Sequence, residues 1–169
     1  MNLVSISENK TFEKRIAITP EIAKKYINLG FSLSLPINYG LELGFKDNDY
    51  KDLGASILSD ENEILSKADI IIQLGIPDDD KLSNLKANQT LIGSLNSFSN
   101  KKKLSNLIAQ KVNCFSLELL PRITRAQSMD ILSSQANLAG YKAVIESFAN
   151  FEQAIPMMMT AAGTIPAAK

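Results

Sequence analysis

Three consecutive isoleucines, Ile70-Ile71-Ile72, lie in the run Asp69–Leu74. Successive side chains of a strand point to opposite faces, so this strand is apolar on both. It cannot lie on a half-solvated sheet. It needs cover above and below, which is the condition of a parallel sheet packed between helices. Leu3–Ile6, Phe31–Leu35, Ala55–Leu58, Thr90–Leu95 and Asn113–Leu120 read as further short strands. A helical pattern follows each. Thr19-Pro20 is a hydroxyl cap with proline in the first turn, opening a helix Pro20–Leu29 that Gly30 closes. Asp47–Leu53 is a short helix closed by Gly54. Asp60 and Glu63 have the spacing of a cap and its reciprocal partner, opening a helix to about Lys67. Further helices start at Pro77 and span Lys101–Gln110.

Strand and helix alternating in this way, with right-handed crossovers, predict a doubly wound, mostly parallel α/β domain of the Rossmann or flavodoxin kind, ending in a long helix. The 169 residues suffice for one such core. Eighteen basic and eighteen acidic residues cancel, which gives no electrostatic footprint for nucleic acid. The chain has no histidine, which removes the commonest general base and metal ligand. A single cysteine, Cys114, excludes a disulfide framework and makes a zinc site implausible. It reads as a buried strand thiol in a reducing compartment. Met1-Asn2-Leu3-Val4-Ser5 lacks the features of a signal peptide, and no apolar run approaches the roughly 20 residues of a membrane span.

Ligands of open α/β folds bind beyond the carboxyl ends of the strands. That rule directs attention to Pro121–Val144, read as a charged loop and a long helix, Ala126–Phe151. At about 100° per residue, Gln127, Asp130, Ser134 and Asn137 fall within about 80° of one another, with Ser133 at the edge. Tyr141, Ile145 and Phe148 continue the stripe as apolar surface. Ala136, Gly140 and Ala143 form a small-residue flank, and Gly140 costs roughly 1 kcal/mol against alanine in a helix. Two readings remain open on these residues: a capped core helix, or one wall of a binding cleft. Arg122 and Arg125 could pair with Asp130, or meet a phosphate or carboxamide.

The run Arg122–Tyr141, its continuation through Phe151, Pro156–Lys169, Arg15-Ile-Ala-Ile-Thr-Pro-Glu21 and Gly30-Phe31 resemble the NAD(H)-binding subunit of proton-translocating NAD(P) transhydrogenases. That family shares its fold with alanine dehydrogenases. The resemblance implies that Arg122, Gln127, Asp130 and Ser133 contact the nucleotide. Gln127 would be the catalytic residue, orienting the nicotinamide for hydride transfer. It places Tyr141 behind this loop, and it matches Arg15 to an arginine that binds substrate carboxylate in alanine dehydrogenase. It implies NAD(H) on the intact subunit, NADP(H) on a partner subunit, a membrane proton-channel subunit and a homodimer, with no metal and no nucleic acid. The location implied is cytoplasmic, peripheral to the inner membrane through the partners.

Alanine dehydrogenases carry a catalytic Lys at the end of the strand aligned with Asp69–Leu74 and a catalytic His in the one aligned with Thr90–Asn96. Here Gln73 and Gly75 flank the first position and Asn96 occupies the second. Amino-acid oxidation needs an acid or base at the substrate carbon, whereas exchange between two nicotinamides needs only apposed rings. The expected organisation is an α/β domain over 1–126, followed by an interdomain helix and the start of an NAD-binding domain over 127–169. No GxGxxG occurs, so a fragment, inactive by itself, is expected. The alternatives are an alanine-dehydrogenase-like fragment, or a non-catalytic dimerisation module using the long helix and Met157-Met158-Met159.

Overall fold

A computed structural model describes residues 1–168. Its contacts divide the chain into two compact units, Met1–Pro121 and a second beginning at Arg122.

The first unit is built on six parallel strands: β1 (Asn2–Val4), β2 (Ser32–Pro36), β3 (Ser56–Leu58), β4 (Ile70–Ile72), β5 (Thr90–Gly93) and β6 (Asn113–Ser116). Their order across the sheet is β3-β2-β1-β4-β5-β6, the strand order of a dinucleotide-binding doubly wound fold. The helices between them are α1 (Pro20–Asn28), α2 (Asp47–Lys51), α3 (Glu61–Ser66), α4 (Asp79–Leu82) and α5 (Lys101–Ala109). Two apolar clusters cover the two faces of the sheet. One gathers Val4, Ile71 and Leu91 with Ile64 and Leu65 of α3, Leu82 of α4 and Leu107 of α5. The other gathers Leu3, Leu33 and Leu35 with Ala23 of α1 and Tyr50 of α2. Ile71 belongs to the first cluster and Ile72 packs against the second, so the isoleucine run is covered on both sides as its composition requires.

In the first unit most local signals act as read. Thr19 caps α1 by accepting from Ile22 N, with Pro20 in the first turn. Asp60 caps α3 by accepting from Asn62 N at 2.8 Å, but Glu63 pairs with Lys67 instead of completing a capping box. The strand expected over Asn113–Leu120 ends at Ser116, and Leu117–Leu119 form a 3-10 turn. β6 lies at the sheet edge, and its last pairing, Gly93↔Ser116, falls at the end of β5. Beyond it the chain turns, and Glu118 accepts from Leu95 N and Ser97 N. Cys114 is half-buried on β6, and burial pushes its thiol pKa up.

The second unit contains a 3-10 turn at Gln127–Met129, the helix α6 (Ile131–Ala149) and an antiparallel hairpin of β7 (Met158–Thr160) and β8 (Gly163–Ile165). No residue of α6 is buried, and Met157, Met158 and Met159 are exposed. Among the described residues no helix is long and apolar enough to cross a membrane.

Candidate functional site

The start of the second unit departs from the sequence reading, and the departure shapes the site. The helix expected from Ala126 does not begin there. The chain instead makes one 3-10 turn, and Asp130 then adopts an extended conformation, φ −74° and ψ 92°, as the N-cap of α6. An aspartate side chain competes with the backbone for nearby N–H groups and so favours caps over helix interiors. Asp130 Oδ1 accepts from Ser133 N at 3.1 Å, and Oδ2 accepts from Ser133 Oγ at 2.6 Å. Gln127 therefore does not share a helical face with Ser134 and Asn137, and the stripe drawn from one continuous helix is broken at Asp130.

The break gathers the residues differently. Arg122, Gln127, Asp130 and Ser133, with Ile123 and Thr124, line one cavity of about 370 Å³. All four residues named from the sequence are there. Ile123 and Thr124 escape the sequence reading. Neither belongs to a periodic pattern, and only their place next to Arg122 could have pointed to them.

The Ser133 hydroxyl and amide hold the Asp130 carboxyl below the usual aspartate range, helped by the Arg122 guanidinium, whose Nε is 3.9 Å from Oδ2. Asp130 is thus a carboxylate at neutral pH. Its pairing with Arg122 is loose, and most of the arginine side chain is exposed. Arg125 makes no ion pair among the described residues. Gln127 is exposed, and no hydrogen bond engages its side-chain amide among the described residues. The cavity thus offers one guanidinium, one carboxylate and an amide with two donors and an acceptor uncommitted. This set suits a polar planar group with both donors and acceptors. Such a set can bind and orient a group of that kind.

The other residues singled out sit elsewhere. Tyr141 is exposed on α6. Arg15, in the first unit, is gripped by Glu13: Nε to Oε1 at 2.8 Å and Nη2 to Oε2 at 2.6 Å. Gln73 is buried just after β4, where Oε1 accepts from Ser5 Oγ at 2.7 Å and from Ile6 N at 2.9 Å. Gln73 therefore ties β1 to β4.

The profile of the family described as alanine dehydrogenase/PNT, N-terminal domain, matches residues 5–139. An alpha-subunit polypeptide of the NAD(P) transhydrogenase of Rhodospirillum rubrum is 39% identical over 174 residues, covering 100% of this chain and 45% of that protein. An alanine dehydrogenase of Halomonas elongata is 25% identical over 155 residues, covering 91% of this chain and 41% of that protein. The crystal structure of a transhydrogenase from Sinorhizobium meliloti superposes with a TM-score of 0.88 at 38% identity, covering 98% of this chain and 50% of that one. The chain thus spans about half the length of the relatives it matches.

Proposed function

Because the chain belongs to the alanine dehydrogenase/PNT family, as its N-terminal domain, we propose that it is the N-terminal portion of an NAD(P) transhydrogenase alpha subunit. In this reading the whole protein passes hydride from NADH to NADP⁺ on a partner subunit, coupled to proton movement through a membrane subunit. The observation that carries it is the convergence of Arg122, Gln127, Asp130 and Ser133 on one cavity, with the Gln127 amide uncommitted. The higher identity to a transhydrogenase subunit than to an alanine dehydrogenase supports it. So does the chemistry of the first unit: Gln73 is engaged in structural hydrogen bonds, and the chain has no histidine.

In this reading each residue has a role. Gln127 can match the donors and acceptor of a carboxamide and fix the plane of the attached ring. Arg122 contributes a positive charge and a planar fork of donors at the cavity. Asp130 and Ser133 are positioning residues: their mutual hydrogen bonds fix the end of the loop that carries Gln127. Bound NAD(H) supplies the hydride, and with two nicotinamides in apposition no protein acid or base is needed.

The same reading places a boundary near Gln127, where an interdomain helix leads into the NAD-binding domain of the whole protein. It makes the assembly a homodimeric subunit, without a metal, held peripherally at the inner membrane by its partners on the cytoplasmic side. The chain by itself is inactive.

The test is Gln127→Asn in the full-length subunit assembled with its partners. The shorter side chain keeps the amide and withdraws it from the cavity. Hydride transfer from NADH to an NADP⁺ analogue should slow at least about tenfold, with the unfolding midpoint unchanged. Unchanged turnover would overturn the assignment.

A further inference from the structure

The turn between β5 and α5 is held in shape from both sides. Glu118, which follows β6, accepts from Leu95 N at 3.1 Å and from Ser97 N at 3.0 Å. Asn100 Nδ2 donates to Leu95 O at 2.9 Å. Asn96 adopts a left-handed conformation, φ 46°, and its carbonyl accepts from Ser99 N and Asn100 N. The turn lies on the β5–β6 side of the sheet.

This fixed turn presents Phe98, which is 74% exposed. A lone exposed apolar residue is ordinary, but this one precedes three consecutive lysines, Lys101-Lys102-Lys103, in the first turn of α5. No acidic residue accompanies them in that turn. Lysines there run against the helix dipole, so they do not serve the stability of α5 itself. Lys103 is engaged: its Nζ lies 3.4 Å from Asp79 Oδ1 and donates to Pro77 O. Lys101 and Lys102 are exposed and form no ion pair among the described residues. The charges of the chain cancel overall, so the lysine run is a local excess.

The chemistry of the occupant follows from this pairing of an aromatic ring with two free ammonium groups. Protein interfaces set aromatic anchors at the centre and charged groups at the rim. A protein surface with carboxylates around an apolar pocket therefore fits. A lipid surface fits less well, because anionic bilayers are gripped by clusters of roughly four to eight basic residues. A turn already fixed by its own hydrogen bonds loses little freedom on docking.

We propose that Phe98, Lys101 and Lys102 form a docking patch for an acidic protein surface. That surface belongs to the NADP(H)-binding partner subunit, an assignment that rests on the transhydrogenase reading. Phe98 fills a pocket of the partner, and the two lysines steer its approach.

The test follows association of the full-length subunit with the purified NADP(H)-binding subunit by surface plasmon resonance, at about 20 and about 200 mM sodium chloride. The wild-type association rate should fall as salt rises. Replacing both lysines, Lys101→Glu with Lys102→Glu, should cut the low-salt association rate at least about tenfold and remove its salt dependence. Phe98→Ala should instead speed dissociation at least about tenfold. All three side chains are exposed, so circular dichroism of the variants should match wild type. Should a variant fail to fold, the salt dependence of the wild type decides. Wild-type rates indifferent to salt, or variant rates equal to wild type, would overturn the patch. Hydride transfer by the same wild-type assembly would then leave the nucleotide reading standing. Absence of any association would overturn both. Wild-type binding to phosphatidylglycerol vesicles that the lysine variant loses, with partner association unchanged, would overturn the protein partner in favour of a lipid surface.

Discussion

Tyr39→Phe probes a buried hydrogen-bond chain beside β1 in the first unit. Tyr39 is 4% exposed, and its hydroxyl oxygen accepts from Ala17 N at 3.1 Å and from Ile18 N at 3.2 Å while it donates to Ser5 Oγ at 2.8 Å. Phenylalanine keeps the ring and its edge-on packing against Tyr50, so the change isolates the hydroxyl. An orphaned buried donor costs about 1–3 kcal/mol. Ile18 is fully buried and bears that cost in full, whereas Ala17 is half-buried and can reach water. Ser5 keeps its bond to Gln73. The expected loss is therefore about 2–4 kcal/mol, a large share of the about 5–15 kcal/mol typical of a domain. Urea unfolding followed by circular dichroism measures it. A loss under about 0.5 kcal/mol with an unchanged slope would refute the reasoning, because both donors would then have other partners. An alkaline arm makes the test stricter. Burial raises the Tyr39 pKa from 10.0 to about 12. A group whose folded pKa is raised contributes stability fully below its unfolded value and loses it as pH rises through the folded one. Wild-type stability should fall across pH 10 to 12 on this account, and Tyr39→Phe should lack that component.

Gly93→Ala should destabilise the sheet. A Cβ at Gly93 would lie 2.4 Å from the backbone oxygen of Gln73, and separating two backbones in a packed sheet costs about 1–3 kcal/mol; the shift in urea midpoint checks it. Asp130→Ala should fray the first turn of α6 and speed amide exchange at Ser133, whose N–H the aspartate accepts. Because the Asp130 pKa is lowered, this protection should be full above the ordinary aspartate range and lost as pH falls through the lower, folded-state value. An exchange rate at Ser133 that ignores both mutation and acid would refute the cap.

Much of the fold was legible because its signals are local. The isoleucine run fixes a strand covered on both faces, and Ile71 and Ile72 do enter opposite clusters. Thr19-Pro20 starts α1 because a cap needs only neighbouring residues. The misses come where two local signals compete. Asn113–Leu120 reads as one apolar run, yet a strand needs a partner, and β5 ends opposite Ser116. Gln127–Asp130 reads as helix by period, yet the Asp130 side chain captures Ser133 N and delays the helix to Ile131. That competition replaces a continuous stripe with a loop closed on itself, and the loop brings Arg122, Ile123 and Thr124 to the same cavity as Gln127.

The hydrogen bonds that join the ends of β1 and β4 were not legible, for a different reason. In the sequence Gln73 stands out only as the absence of a lysine, and no local pattern marks Glu8. Their bonds join residues 65 to 68 positions apart in the chain: Gln73 Nε2 to Glu8, and Ser5 Oγ and Ile6 N to Gln73. No period or cap encodes such a pair, because β1 and β4 become neighbours only through the crossover that reverses the strand order. Once they are neighbours, each polar group buried between their ends needs a partner. Tyr39 takes two backbone donors and gives its proton to Ser5, Ser5 gives to Gln73, and Gln73 gives to Glu8. The direction of donation is set at the start, where two N–H groups occupy the tyrosine oxygen and leave its proton for Ser5. Each later member then donates onward, so the chain ends on a group that can accept. A carboxylate does so, and a lysine or a second amide donor facing Gln73 Nε2 would not. Glu8→Lys should therefore disturb the Tyr39 hydroxyl's partners, whereas a substitution at Asp78, which is exposed and outside the chain of bonds, should leave them in place.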